Sequence, residues 1–342
     1  MPSTKKKKFG WWKLLYFLAV ILFGYLVYVR RDEIFTIVAS WDKFSIKFLF
    51  LAFVFQVLIF VSQSYAYKYV YQLFGLRVNL WRMFWVLLRS NFLGVIAPSG
   101  GFLVGIGVIM EDGFRQGFSK GKLLLSNVVY WVVYYLIFIF FLLIGLFYMT
   151  IKNQINDLIL IPAIILLILA ILFLVVVVNM LESYEKFKNF SLKVANFINS
   201  INKKLGRDKA FKQKSIKKYA FEIYDGYCFV IKNWFSLNKL VMSVLLMIFF
   251  NVAILSSLVA ALGGNWYSFG VLLSCYAVAG LLMVISITPS GLGVVELSMT
   301  TVLTSFLLPL EQAVLVVIFY RLFQFWCPVI AGFIVFRTDK KN

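Results

Sequence analysis

Apolar runs about as long as a bilayer is thick recur from one end of this chain to the other, and that recurrence leaves few folds open. They run over Leu14–Val29, Phe44–Val61, Leu123–Tyr148, Leu158–Met180, Asn238–Leu262 and Gln312–Phe336. About 20 apolar residues in a helix cross the hydrocarbon layer, and a backbone inside lipid must satisfy its own hydrogen bonds. Of the 342 residues 62% are hydrophobic and only 14% charged, against about 25% charged in an average soluble domain. The fold class that follows is an all-α polytopic membrane protein with about six full spans.

Two further stretches, 81–110 and 267–308, are apolar but broken. The first contains Arg89 and Asn91 and breaks at Ala97-Pro98-Ser99-Gly100-Gly101. The second breaks at Thr288-Pro289-Ser290-Gly291. After the first break, Phe102–Met110 would rise only about 13 Å as a helix, less than half of a ~30 Å hydrocarbon layer. Two re-entrant helix pairs, entering from opposite sides, are therefore expected; eight spans is the alternative count. The chain divides into an N-terminal half, 1–180, built around 81–110, a basic loop, 181–237, and a C-terminal half, 238–342, built around 267–308. Inverted halves with interrupted helices recur in transporters.

Charge orients this arrangement. The formal net charge is +20, from 34 basic and 14 acidic residues. Lys5–Lys8 precede the first run, the 181–237 loop carries twelve Lys/Arg against five Asp/Glu, and Arg337, Lys340 and Lys341 follow the last run. The positive-inside rule puts both termini and this loop in the cytoplasm of a multi-pass cell-membrane protein. The loop, basic with interspersed phenylalanine and tyrosine, reads as a small helical hairpin on the anionic inner leaflet. No nucleic-acid partner is expected, because no reading motif accompanies the charge.

A few polar residues sit where polarity is costly. Arg321 falls near the middle of the last span, with Gln324 on the same helix face and Pro328 four residues beyond, which frees the Gln324 carbonyl. A charge at that depth normally faces a polar interior and pairs. Glu296 is the expected counter-ion, either as a structural salt bridge or as part of a site for an anionic headgroup. At the breaks, Ser99, Gly100, Ser290 and Gly291 have the chemistry of helix-start anion sites, a capping hydroxyl beside glycines that permit close approach. The substrate-binding residues expected are thus Arg89, Asn91, Ser99, Gly100, Ser290, Gly291, Glu296, Arg321 and Gln324. Glu111-Asp112, near Arg115, reads as an interface turn. The chain has no histidine, and its three cysteines have no metal-ligand spacing. No nucleotide loop, nucleophile elbow, haem or quinone signal is visible, so neither a cofactor, a metal nor a catalytic residue is expected.

These motifs resemble the flippase-like transmembrane domain of the bifunctional phosphatidylglycerol lysyltransferases and related stand-alone membrane proteins, over about residues 10–338. The more specific signature is Pro289-Ser290-Gly291-Leu292-Gly293-Val294-Val295-Glu296, followed by Arg321, Pro328 and Gly332. The family shows Pro-x-Gly-x-Gly-x-x-Glu, then an arginine, a proline and a glycine in the last helix. The looser signature is Arg89, Asn91 and Ala97-Pro98-Ser99-Gly100-Gly101. Several relatives carry a basic residue soon after that break; Phe102–Met110 here has none.

The resemblance implies movement of a polar-headed, phosphate-bearing lipid between leaflets, with membrane lipids as partners. Lysyl transfer is not expected, because the chain stops at Asn342 without room for the soluble transferase domain. A small-solute or ion-coupled secondary transporter is the first alternative. A membrane-embedded enzyme acting on a lipid-linked sugar or phosphate is the second, weakened by the missing histidine and the scarcity of convergent carboxylates.

Overall fold

A computed structural model describes residue 28 and residues 31–96, 101–154, 182–204, 213–263, 268–286, 291 and 293–338, with some positions between 160 and 179. Among these residues all regular structure is helical. The expected spans at Leu14–Val29 and Leu158–Met180 lie wholly or largely outside them, as do Pro98 and Pro289. Among the described residues, four helical stretches are long and apolar enough to cross a membrane: Ile46–Leu73, Lys120–Ile151, Trp234–Ala261 and Leu310–Thr338.

The order of elements repeats. After a short helix α1 (Arg31–Ala39) come the long helix α2 (Ile46–Leu73), a pair α3 (Leu80–Ile96) and α4 (Gly101–Arg115), and the long helix α5 (Lys120–Ile151). Two amphipathic helices follow, α6 (Tyr184–Lys204) and α7 (Gln213–Lys232). Then the pattern returns: the long helix α8 (Asn238–Ala261), a pair α9 (Phe269–Ile285) and α10 (Val294–Ser305), and a last long helix made of α11 (Leu310–Arg321) and α12 (Cys327–Thr338) joined by a π-helical turn, Leu322–Trp326.

The first long helices of the two halves, α2 and α8, form the most extensive packing among the described residues. They run antiparallel along their whole length. At one end the Ser45 backbone N–H donates to the Ala261 carbonyl (2.9 Å). At the other, the Tyr69 hydroxyl donates to the Ser236 carbonyl (2.7 Å), and the Lys239 ammonium lies 5.4 Å from the Tyr69 ring centre. Buried hydroxyls and amides stitch the interior. Tyr67 OH donates to Asn127 Oδ1 (3.3 Å), and Tyr320 OH donates to Asn251 Oδ1 (3.4 Å). Each asparagine also donates to the carbonyl four residues back on its own helix. Buried polar groups in an apolar medium require such partners.

Each short pair folds back on itself. In α3–α4, Ser90 Oγ donates to the Gly105 carbonyl (2.8 Å), and Arg82 Nη2 meets Asp112 Oδ1 at 3.0 Å. The return arm α4 is longer than Phe102–Met110: its fifteen residues rise about 22 Å. Polar residues continue it, because Glu111 pairs with Arg115 one turn on (2.8 Å) and Asp112 is held by Arg82 and Gln116. In the second pair, the Cys275 thiol donates to the Met299 carbonyl (3.7 Å).

Each pair also crosses to the long helix of the opposite half. α3 packs on α12, and α9 packs on α5. Glycine sits at both crossings: a Cβ on Gly332 would lie 2.3 Å from the Leu88 carbonyl oxygen, and one on Gly145 would lie 3.1 Å from Ser274 Cα.

The two ends of the bundle are distinct. Tyr148 OH and Ser268 Oγ meet at 2.7 Å near the end that holds Ser45 and Ala261. At the opposite end lie the Arg82–Asp112 pair, Thr338, and α7, which packs on the foot of α5 through a Ser119–Glu222 hydrogen bond.

Candidate functional site

The second break explains its own sequence. Gly291 and Gly293 have φ of +68° and +78°, a left-handed backbone that side chains disfavour. A Cβ on Gly291 would also meet Val295 Cγ2 at 2.8 Å. Two such turns aim the Gly291 carbonyl at the last helix and start α10 at Val294. Glu296 then falls in the first turn of α10, where the helix dipole favours a carboxylate.

Arg321 closes this arrangement. Only 5% of the residue is exposed. Its Nε lies 2.7 Å from Glu296 Oε1, and its Nη2 donates to the Gly291 carbonyl at 3.1 Å. One guanidinium thus grips both the turn and the helix that follow the second Pro-Ser-Gly. The helix carrying it is altered immediately afterwards. Over Leu322–Trp326 it widens to a π turn, in which the Cys327 N–H donates to the Leu322 carbonyl. Pro328 has no N–H and would crowd the Gln324 carbonyl; the wider turn accommodates it, and π turns of this kind cluster at functional positions. Gln324 lies within the turn, its Nε2 buried with no hydrogen-bond partner among the described residues.

Arg89 is placed elsewhere. It is half-buried on α3 and lines a cavity of 650 Å³ with Arg82, Trp85, Asp112, Ile334 and Thr338. Ile334 is nearly four helical turns past Arg321, about 20 Å, so this cavity and the Arg321–Glu296 pair sit at different depths. Asn91 is half-buried on the same helix. Ser99, Gly100 and Ser290 lie outside the described residues. The site residues therefore fall into two groups: Gly291, Glu296, Arg321 and Gln324 under the second break, and Arg89 in a cavity at the foot of the first pair.

The cavity includes Asp112, which the sequence reading took as part of an interface turn rather than as a site residue. Asp112 is buried and accepts from Arg82 Nε and Nη2 and from Gln116 Nε2. Glu111 and Arg115 beside it gave it the look of a turn, and its partner Arg82 lies 30 residues back on another helix.

A family model described as the lysylphosphatidylglycerol synthase TM region matches residues 11–332. The chain belongs to this family. Among curated proteins it is similar to the UPF0104 membrane protein MJ1595 of Methanocaldococcus jannaschii, 24% identical over 340 residues, covering 94% of this chain and 93% of the relative. The match to the lysylphosphatidylglycerol synthase TM region takes in both pairs, both breaks and the Arg321–Glu296 contact.

Proposed function

We propose that this chain moves a polar-headed, phosphate-bearing lipid between the leaflets of the cell membrane. The observation that carries the reading is Arg321: buried, gripping Glu296 and the Gly291 carbonyl, directly below a break in apolar sequence. Arginine remains charged in apolar surroundings, and its planar fork can engage a carboxylate and a phosphate together. In this reading Glu296 sets the guanidinium, and the phosphate is drawn to the same fixed positive charge. Gln324, Ser290 and Gly291 complete this site; Asn91, Ser99 and Gly100 serve the first break, and Arg89 the cavity at the foot of the first pair. The family's name refers to a lipid, lysylphosphatidylglycerol, and supports the same class of cargo.

In this reading the halves are an inverted repeat and the two pairs are re-entrant, entering from opposite faces. Antiparallel α2 and α8, and the exchange of partners between halves, support it. The α6–α7 face, with Arg337 at the end of the last helix, is cytoplasmic. A single cysteine introduced within 203–218 is then expected to resist a membrane-impermeant maleimide in intact cells and to react after permeabilisation. Efficient labelling from outside reverses the orientation.

Transport itself is tested in liposomes holding the purified chain and a trace of headgroup-labelled phospholipid, to which an impermeant quencher is added. Protein-free vesicles should lose about half the signal, the outer leaflet; vesicles with the chain should lose nearly all of it. Loss of only the outer half, with a small solute released instead, would favour the secondary transporter.

A further inference from the structure

The last helix lies along the seam between α2 and α8, touching α8 through α11 and α2 through the π turn at Leu322–Trp326. One polar contact across that seam is made: Tyr320 OH donates to Asn251 Oδ1 on α8 (3.4 Å). The next one is open. Gln324 follows Tyr320 by four residues, on the same helix face, and its Nε2 is buried with no hydrogen-bond partner among the described residues. Gln56 on α2 is the complementary case. Only 4% of it is exposed, and among the same residues its Oε1 is buried with no partner.

Depth brings the two amides to one level. The rings of Phe55 and Phe250 stack across the seam (5.8 Å), so Gln56 stands level with Asn251, the residue that Tyr320 reaches. Helical side chains lean back toward the N-terminus, which carries the Gln324 amide toward that level. A donor and an acceptor thus stand unused on two elements in contact. Burying such groups unpaired is costly. Native interiors hold few of them, and those that persist have a specific reason.

The backbone supplies the reason. Gln324 sits where its helix is weakest: the turn around it is π-helical, and Pro328 has no N–H to give the Gln324 carbonyl. Bends in helices concentrate at prolines and π turns. A bend there carries α12, and α3 seated on it at Gly332, relative to α11.

We propose that the last helix has a second state, bent at the π turn, in which Gln324 Nε2 donates to Gln56 Oε1 and ties the turn to α2. The state with both amides unpaired is the unlatched one. That the latch closes and opens with each lipid moved rests on the lipid-transport reading; the two states do not.

The test uses the full chain. In a neutral maltoside detergent, hydrogen exchange of the amides over 322–329 follows the turn with no lipid involved. Gln56→Leu and Gln324→Leu are each expected to speed that exchange at least about threefold by removing the latched state. The double variant should be no faster than either single one, since all three lack the same bond. Thermal midpoints should not fall, because each leucine replaces a buried amide that is unpaired in the unlatched state. Wild-type exchange in Gln56→Leu, or additive effects in the double variant, overturn the latch. Midpoints that fall in both single variants mean that the amides are already satisfied in one fixed state, by a bridging water, and overturn it too. Should Gln56→Leu not fold, Gln56→Met, which keeps the length of the side chain, takes its place. In liposomes Gln56→Leu is expected to slow lipid passage at least about tenfold, as the loss of a conformational step does. Coupled exchange with wild-type lipid passage overturns the latch's place in the cycle. Coupled exchange in a wild-type protein that moves no lipid removes the transport reading and leaves the latch.

Discussion

Arg321→Ala is expected to leave little folded protein, whereas Arg321→Met combined with Glu296→Met is expected to fold and to move no lipid. The single change strands a carboxylate that is only 22% exposed. Breaking a buried pair from one side typically costs about 3–5 kcal/mol, while replacing both charges by apolar groups of similar volume is often neutral or stabilising. That loss is a large fraction of the stability of an ordinary domain. Arg321→Lys separates fold from function. It keeps the charge but cannot hold Glu296, the Gly291 carbonyl and a phosphate in one plane, so translocation is expected to fall at least tenfold in a protein of near-normal thermal midpoint. Monodisperse yield and quencher accessibility in liposomes are the two readouts. Wild-type transport by either Arg321→Lys or the double methionine variant would reduce the pair to a structural bridge.

Gly332→Leu is expected to be as damaging, for a different reason. The Cβ alone would sit 2.3 Å from the Leu88 carbonyl oxygen and 2.7 Å from Phe92 Cβ. Neither contact is the free end of a flexible chain, so α12 must back away from α3. Overpacking of this sort costs about 1–3 kcal/mol even for modest additions, which sets the scale for Gly332→Ala; the leucine adds three more carbons at the same point. Gly145→Ala, at the matching crossing of α5 and α9, meets Ser274 Cα at a milder 3.1 Å, and Gly107→Ala meets nothing within 4 Å. Thermal midpoints should therefore fall most for Gly332→Leu, then Gly332→Ala, then Gly145→Ala, with Gly107→Ala at or above the wild type. A flat series would mean that the two crossings are not close-packed.

What could be read from the chain alone follows from the range of the interactions involved. The long helices are set by composition over some twenty residues, a local property, and Asn238–Ala261 ends within a residue of the apolar run that marks it. The contact of Arg321 with Glu296 was accessible because burial in lipid makes an isolated charge costly, so two opposite charges at similar depth point to each other. Asp112 was not. Beside Glu111 and Arg115 it looks like part of a surface turn; only the fold brings Arg82 to it. The length of α4 was missed for the same reason, since charged residues that would end an apolar helix are paired here and continue it. Pro328 announced a disturbed carbonyl, but whether a helix kinks or widens depends on what packs around it, and here α2 lies against the widened turn.

The exchange of partners between halves has a mechanical consequence. α2 and α8 are tied at both ends, so they form a fixed axle. α3 is seated on the last helix and α9 on α5, with glycine letting the backbones touch. A tilt of the last helix about that axle drags the opposite half's pair with it, and Arg321 links the same helix to the turn ahead of α10. Under the proposed transport function, this cross-seating would make the linkage that opens one side the same linkage that closes the other, as in an airlock.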